Sequence, residues 1–330
     1  MKRLRPLCML RLCMLRLCLF ALTLTGQGLS AHAEVQCPEL RDTAPRGLSC
    51  LQCLHPKAKE QAASLITLLQ KSCLKHVAMT YLVDGTFGWD EAVLRQHIDE
   101  LTEGGRILHL HLYLLNGPSQ RDWQTTAIKT IGTKTKPEDF RALIEAQDAR
   151  LLERIRNLID QVKPSLEYAR SKQVRLSIAP VLEDNLRDAD FEKLLATTKS
   201  QLPAEGITFF RNPCAGCYPG NGTAVPSGVL LESHQPADCA GPAALVTNDG
   251  ISIALDNQPA DRTITLAALA EASTRCEAAG KPFILWHAPL QGLGAADMTG
   301  TPPHPDKRSY PLPDAAAESA LLKLLNAKIP

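Results

Sequence analysis

Two glutamates stand out for where they fall. Glu183 comes near the end of VRLSIAPVLEDN (residues 174–185), where apolar residues recur at Val174, Leu176 and Ile178, a proline follows, and Glu183, Asp184 and Asn185 come next. Glu232 arrives in the same way, after GVLL and before Ser233 and His234. Apolar alternation marks a strand with one buried face. Acids at the end of such a strand lie where a parallel barrel gathers its reactive groups. Two carboxylates delivered like this suit cleavage of a glycosidic bond, one acid protonating the leaving oxygen and the other acting as base or nucleophile. Glu183 and Glu232 form the first pair for that work, with Asp184 and Asp249 as alternates.

Other apolar runs end on polar groups too: Tyr81 and Asp84; His111, Tyr113 and Asn116; Arg211 and Asn212; His234; Asn248 and Asp249; Trp286 and His287. Amides, histidines and an arginine at strand ends are groups that bind sugar hydroxyls, and Trp286 offers a flat apolar face for a sugar ring. Plainer roles compete at several positions. Asp184 suits a helix N-cap or a supporting contact better than catalysis, Asn248-Asp249-Gly250 is a strong turn signal, and Glu183 or Glu232 could pair with Arg187 or Arg211. His109 and His111 alternate on one strand and therefore share a face. A metal there would need further ligands at suitable spacing, so no metal and no other cofactor is expected.

The elements that would place these groups follow a repeating order. Helical spacing covers 56–73, with Ala62, Leu65, Leu68 and Leu69 on one face, and 89–103, with Val93, Leu94, Ile98 and Leu101. A long helical region covers 137–171, with Pro164 as a point where it could break, and shorter helices cover 190–200, 264–279 and 315–327. Strands are expected at 76–83, 106–115, 174–182, 206–211, 228–231, 243–247 and 281–286. Strand–helix alternation with short apolar strands predicts a parallel α/β fold, here a (β/α)8 barrel whose second half is irregular. An open doubly wound sheet competes, but DGTFGWDE, not a glycine-rich phosphate loop, follows the run at 76–83.

The 330 residues carry a formal net charge of +1 and no basic block, which argues against a nucleic-acid partner. Residues 1–33 read as a signal peptide, with Lys2, Arg3 and Arg5 ahead of an apolar run and Ala31-His32-Ala33 as the cleavage signal. No later apolar run is long enough to span a membrane, so an exported protein, periplasmic or extracellular, is expected. Three of the eleven cysteines fall within that signal. The others form two groups, Cys37, Cys50, Cys53 and Cys73, then Cys214, Cys217, Cys239 and Cys276. In an exported chain these are disulfides more readily than zinc ligands, paired within each group, with three pairings open in each. Residues 34–75 are expected to form a cysteine-rich collar and helix, and 76–330 a single barrel domain.

RLSIAPVLED, GVLLES and the final FILWHAPLQG resemble the (β/α)8 glycoside hydrolases at the level of the superfamily, over residues 76 to 290. The resemblance implies an acid at the end of a middle strand, Glu183, a second carboxylate on a later one, Glu232, a tryptophan on the last, Trp286, and a polysaccharide or oligosaccharide substrate. The chain departs from that pattern at Leu182, where those enzymes usually carry asparagine before the acid. Two other readings share the scaffold. One is a carbohydrate-binding pseudoenzyme. The other is a metal-dependent hydrolase, such as a deacetylase or phosphodiesterase, built on HLHLY, His234 and His287.

Overall fold

The run ILHLHLYLLN shows how this chain divides its surfaces. In the computed structural model it is strand β3, Ile107–Asn116. Its leucines at 108, 110 and 112 pack into the large core shared with the helices. Its alternate residues His109, His111 and Tyr113 take the other face, where Tyr113 joins a small apolar cluster with Ala78, Leu82, Ala179, Phe210 and Ile284. Period-two alternation thus gives one apolar face to the helices and a partly polar one to the inside.

The structure describes residues 37, 39–51, 53–54, 58–84, 90–116, 137–182, 184, 186–202, 205–213, 222–233, 239, 241, 243, 245–248, 266–286 and 322–327. All belong to one compact unit, Cys37–Pro330. The expected signal peptide lies outside them, as do Glu183, His234, Asp249, His287, Cys214 and Cys217.

Eight parallel strands close into a barrel in chain order. They are β1 (Arg46–Ser49), β2 (His76–Leu82), β3, β4 (Arg175–Leu182), β5 (Ile207–Arg211), β6 (Leu230–Ser233), β7 (Leu245–Asn248) and β8 (Phe283–Trp286). The described helices are α1 (Lys59–Lys71), α2 (Glu91–Thr102), α3 (Pro137–Ser171), α4 (Asp188–Gln201) and α5 (Leu266–Ala278), with a 3-10 turn at Glu103–Gly105 and a short helical turn at 322–325. The helix α3 continues through Pro164. No helix among the described residues is long and apolar enough to cross a membrane.

The barrel begins earlier than the sequence suggested. The segment read as a collar holds the first β/α unit: β1 pairs with β2 through Gly47↔Ala78 and with β8 through Gly47↔Ile284, and so closes the ring. Arg46, 1% exposed, anchors this strand from below. It pairs with Glu277 of α5 and donates from Nη1 to the Leu325 carbonyl at 2.9 Å and the Ala327 carbonyl at 2.7 Å. Burial, then the neighbouring Arg41, pulls its pKa down to about 10, so it stays charged at neutral pH. The first strand is thereby tied to the chain's last described turn.

Three disulfides join cysteines within the two expected groups: Cys37–Cys73, Cys50–Cys53 and Cys239–Cys276, with Cα separations of 5.3, 5.3 and 4.8 Å. The first and third close loops of 36 and 37 residues. Loops of that length contribute about 4 kcal/mol each through the entropy of the unfolded chain, against about 2 for the three-residue span of Cys50–Cys53.

Candidate functional site

Parallel register decides which side chains meet. Partners run Thr80↔His111↔Ser177↔Thr208 across β2 to β5, then Phe210↔Leu230 and Glu232↔Leu245 across β5 to β7. Residues two apart on each strand repeat the face, which places His111, Tyr113, Phe210, Asn212 and Glu232 together inside the barrel. Three of them, His111, Asn212 and Glu232, are buried polar groups, exposed by no more than 2%.

Glu232 is the centre of this set. The Tyr113 hydroxyl donates to its Oε1, and the Asn212 amide donates to the same tyrosine oxygen at 3.1 Å. The second carboxylate oxygen lies 3.5 Å from His111 Nε2. His111 is fixed at its other nitrogen by the Ser177 hydroxyl, 2.8 Å from Nδ1, and is packed edge-on against Tyr113 and Phe210, with ring centroids 4.7 and 5.3 Å away. A carboxylate taken out of water is costly unless donors surround it. Here β3, β5 and β6 contribute to the surroundings of one acid, and β4 orients its histidine neighbour through Ser177.

Asp84 follows β2 and is buried, paired with Arg154 of α3, whose side chain is 38% exposed. Asn116 and Trp286 are the last residues of β3 and β8, with backbones paired to Leu182 and Ser49.

Two expected binding residues have other work. Tyr81 is on the outer face, in the core shared with the helices, and its hydroxyl lies 2.9 Å from Nδ1 of His97 on α2. Its neighbours in the chain, Thr80 and Leu82, hold the inner positions, and a residue between them must point outward. Arg211 is likewise withdrawn from the site. Fully buried, it bonds Asp184 through Nε at 2.9 Å and through Nη2 at 3.2 Å, and Asp188 of α4 at 2.6 Å. Its remaining reach goes to the Leu186, Gly222 and Ala224 carbonyls, with its plane 4.4 Å from the Phe191 ring. It clamps the loop after β5 to α4.

Asp184 takes the supporting role. Its Oδ1 accepts the Leu186 N–H at 3.1 Å, as a capping acid does. Burial pushes its carboxyl pKa up, while Arg211 and the Leu186 N–H pull it back. Ser177 and Phe210 were not singled out from the sequence. The signal for both was present in the register, since each shares a face with residues that were: Ser177 stands beside His111, and Phe210 lies two before Asn212. Among the described residues, no group of three or more metal-ligating side chains could hold an ion.

Eight parallel strands closed into a ring, with helices outside and a polar cluster inside, define the class: a (β/α)8 barrel. No protein-family model matches the chain, and no curated protein matches it. Among solved structures, the chain is similar to a glycoside hydrolase family 5 enzyme from Prevotella bryantii B14, at 11% identity over 85% of this chain and 95% of that one, TM-score 0.43. It is similar to a family 5 xyloglucanase from Bacteroides ovatus, at 12% identity over 86% and 75%, TM-score 0.40. It is also similar to a D-psicose 3-epimerase, at 9% identity over 85% and 96%, TM-score 0.39.

Proposed function

We propose that the protein is an exported glycoside hydrolase, or a closely related enzyme, acting on a polysaccharide or oligosaccharide, with Glu232 and Glu183 as its two working carboxylates. The observation that carries this is Glu232 itself, buried inside the barrel, held by the Tyr113 hydroxyl and set beside His111. A barrel interior is ordinarily filled by branched apolar side chains. A carboxylate in that position departs from the rule, and such departures concentrate at functional sites.

In this reading Tyr113 orients the Glu232 carboxylate and His111 faces its second oxygen. Glu232 serves as nucleophile or base, and Glu183, one residue past β4, supplies the proton to the leaving oxygen. Trp286 and Asn116, at the ends of β8 and β3, supply a sugar platform and a hydroxyl contact. The disulfides support an oxidising compartment outside the cytoplasm.

The test is hydrolysis of a panel of plant and microbial glycans by wild type and by Glu183→Gln and Glu232→Gln, each checked for fold by circular dichroism. Loss of about a hundredfold or more in both variants is expected. Undiminished turnover in both sinks the assignment, and glycan binding by wild type without any product points instead to a carbohydrate-binding pseudoenzyme on the same scaffold.

A further inference from the structure

The N-terminal half of a barrel interior is ordinarily packed solid and serves stability. Here it holds a cavity of about 480 Å³. The volume falls in the range of about 300–1,000 Å³ typical of small-molecule sites. Its place follows from its walls. Ala78, His109, Ser177 and Thr208 come from the first or middle turns of β2 to β5, while Ala243 and Lys281 precede β7 and β8. Small residues stand along its walls, Ala78 within β2 and Gly241, Ala243 and Gly280 ahead of β7 and β8.

The charged groups around it are of one sign. Arg175 begins β4 at the rim, and Lys281, whose ammonium also donates to the Gly241 carbonyl, stands just ahead of β8. No carboxylate is among the described residues that line the space. His109 adds a neutral donor or acceptor: burial, then the charges of His76 and Arg175, pulls its pKa down to about 4. Ser177, Thr208 and His111 supply groups suited to hydroxyls, and Phe210 and Ile284 supply apolar wall. Two cations without a lining acid favour an anion, and the hydroxyl and imidazole groups favour one carrying hydroxyls on a small carbon frame.

We propose that this cavity is a binding site for a small hydroxylated anion, a phosphate ester or carboxylate of about monosaccharide size, on the N-terminal side of the Glu232 cluster and sharing His111 and Phe210 with it. Arg175 and Lys281 take the charge, and Ser177, Thr208 and His109 take the hydroxyls. His111 lines the cavity and also faces the acid, with Nδ1 on Ser177 and Nε2 towards Glu232. Occupancy of the cavity therefore bears on the orientation of a group beside the acid.

Isothermal titration calorimetry of the purified protein with inorganic phosphate, glucose 6-phosphate, glucuronate and uncharged glucose tests this without reading hydrolysis. Binding of glucose 6-phosphate or glucuronate, with glucose silent, is the expected result, and the preferred one of the two separates phosphate from carboxylate recognition. Arg175→Ala, at an exposed position, and Lys281→Ala should each weaken it about tenfold, the loss of one charge-assisted contact. No binding of any anion to wild type overturns the proposal. So does binding that persists unchanged in a folded Arg175→Ala/Lys281→Ala double variant, or binding of glucose as tight as that of its phosphate.

Discussion

The Tyr113 hydroxyl reaches from β3 across the barrel interior to Oε1 of Glu232 on β6. The two residues lie 119 apart in sequence and meet because both strands turn the same alternate face inward. Their bond joins opposite regions of the barrel wall and sets the position of its buried carboxylate.

Tyr113→Phe keeps the ring, its packing against His111 and its volume, and removes the donor to Glu232 together with the acceptor of the Asn212 amide. Stability should fall by about 1–3 kcal/mol, the cost of depriving a buried polar group of a partner. Urea denaturation measures it. If Glu232 works as proposed, turnover should fall as well while binding of an uncleaved glycan changes little, since the tyrosine acts through the glutamate. An unchanged midpoint would mean that the hydroxyl contributes nothing to holding the acid.

Arg211 offers a stronger test. Replacing it by methionine leaves Asp184 buried without its cation, and breaking such a pair costs about 3–5 kcal/mol. The pH dependence of that loss identifies its cause. Burial already favours the protonated form of Asp184, and Arg211 is the main influence opposing it. Without the guanidinium, the folded protein takes up a proton at Asp184 more readily than the unfolded chain does. Stability lost at neutral pH should therefore be partly recovered as pH falls towards the ordinary carboxylate range. A penalty equal at pH 7 and pH 5 would show that Arg211 matters for its carbonyl contacts instead.

Much of this arrangement was legible in the sequence. Alternation in ILHLHLYLLN sorted histidines and leucines onto opposite faces, and seven strands fell close to where apolar runs met turn residues. The first strand was not legible. RGLS is four residues long, has no alternation, and sits between Pro45 and a cysteine pair that reads as a turn-rich collar. Only the pairing of Gly47 with both Ala78 and Ile284 shows what it is. Tyr81 was misplaced for a related reason: proximity to a strand end does not say which face a residue takes. Arg211 was misplaced because its two acids come from the segment just past β4 and from the start of α4, and sequence gives no hint that a rim arginine will be enclosed by both. The cavity in the N-terminal half was invisible, since its walls come from six strands and from the segments ahead of β7 and β8.

His97 predicts an acid weakness on the outer side of the barrel. Burial between α2 and Tyr81 lowers its pKa from 6.5 to about 4. Between those two values the unfolded chain carries a proton at this residue and the folded protein does not, so unfolding takes up a proton and stability declines as pH falls. The contribution is whole above pH 6.5 and is lost progressively down to about 4, to a total of about 3 kcal/mol. His97→Gln keeps a polar partner for the Tyr81 hydroxyl and does not titrate. Its unfolding free energy should depend on pH less steeply than that of wild type across this window, and parallel curves would remove His97 as the cause.

Gly47 tests the closure of the barrel at β1. A Cβ at this position would run into the backbone carbonyl of Ala78. Its backbone does not fall in the left-handed region, so the constraint is close approach between β1 and β2 and not conformation. A backbone wall cannot rotate aside as a side chain can, and overpacking of this kind costs about 1–3 kcal/mol, more where strands must separate. Gly280→Ala is the useful comparison. Gly280 has φ of 66° and open space within 4 Å of where a methyl would stand, so its penalty is conformational strain alone, about 1–2 kcal/mol. Gly47→Ala should lower the thermal midpoint more than Gly280→Ala. Proteolysis should also cut it more readily around 46–49, where β1 loosens from the ring. A Gly47→Ala variant as stable as wild type would mean that β1 does not pair with β2 in this register.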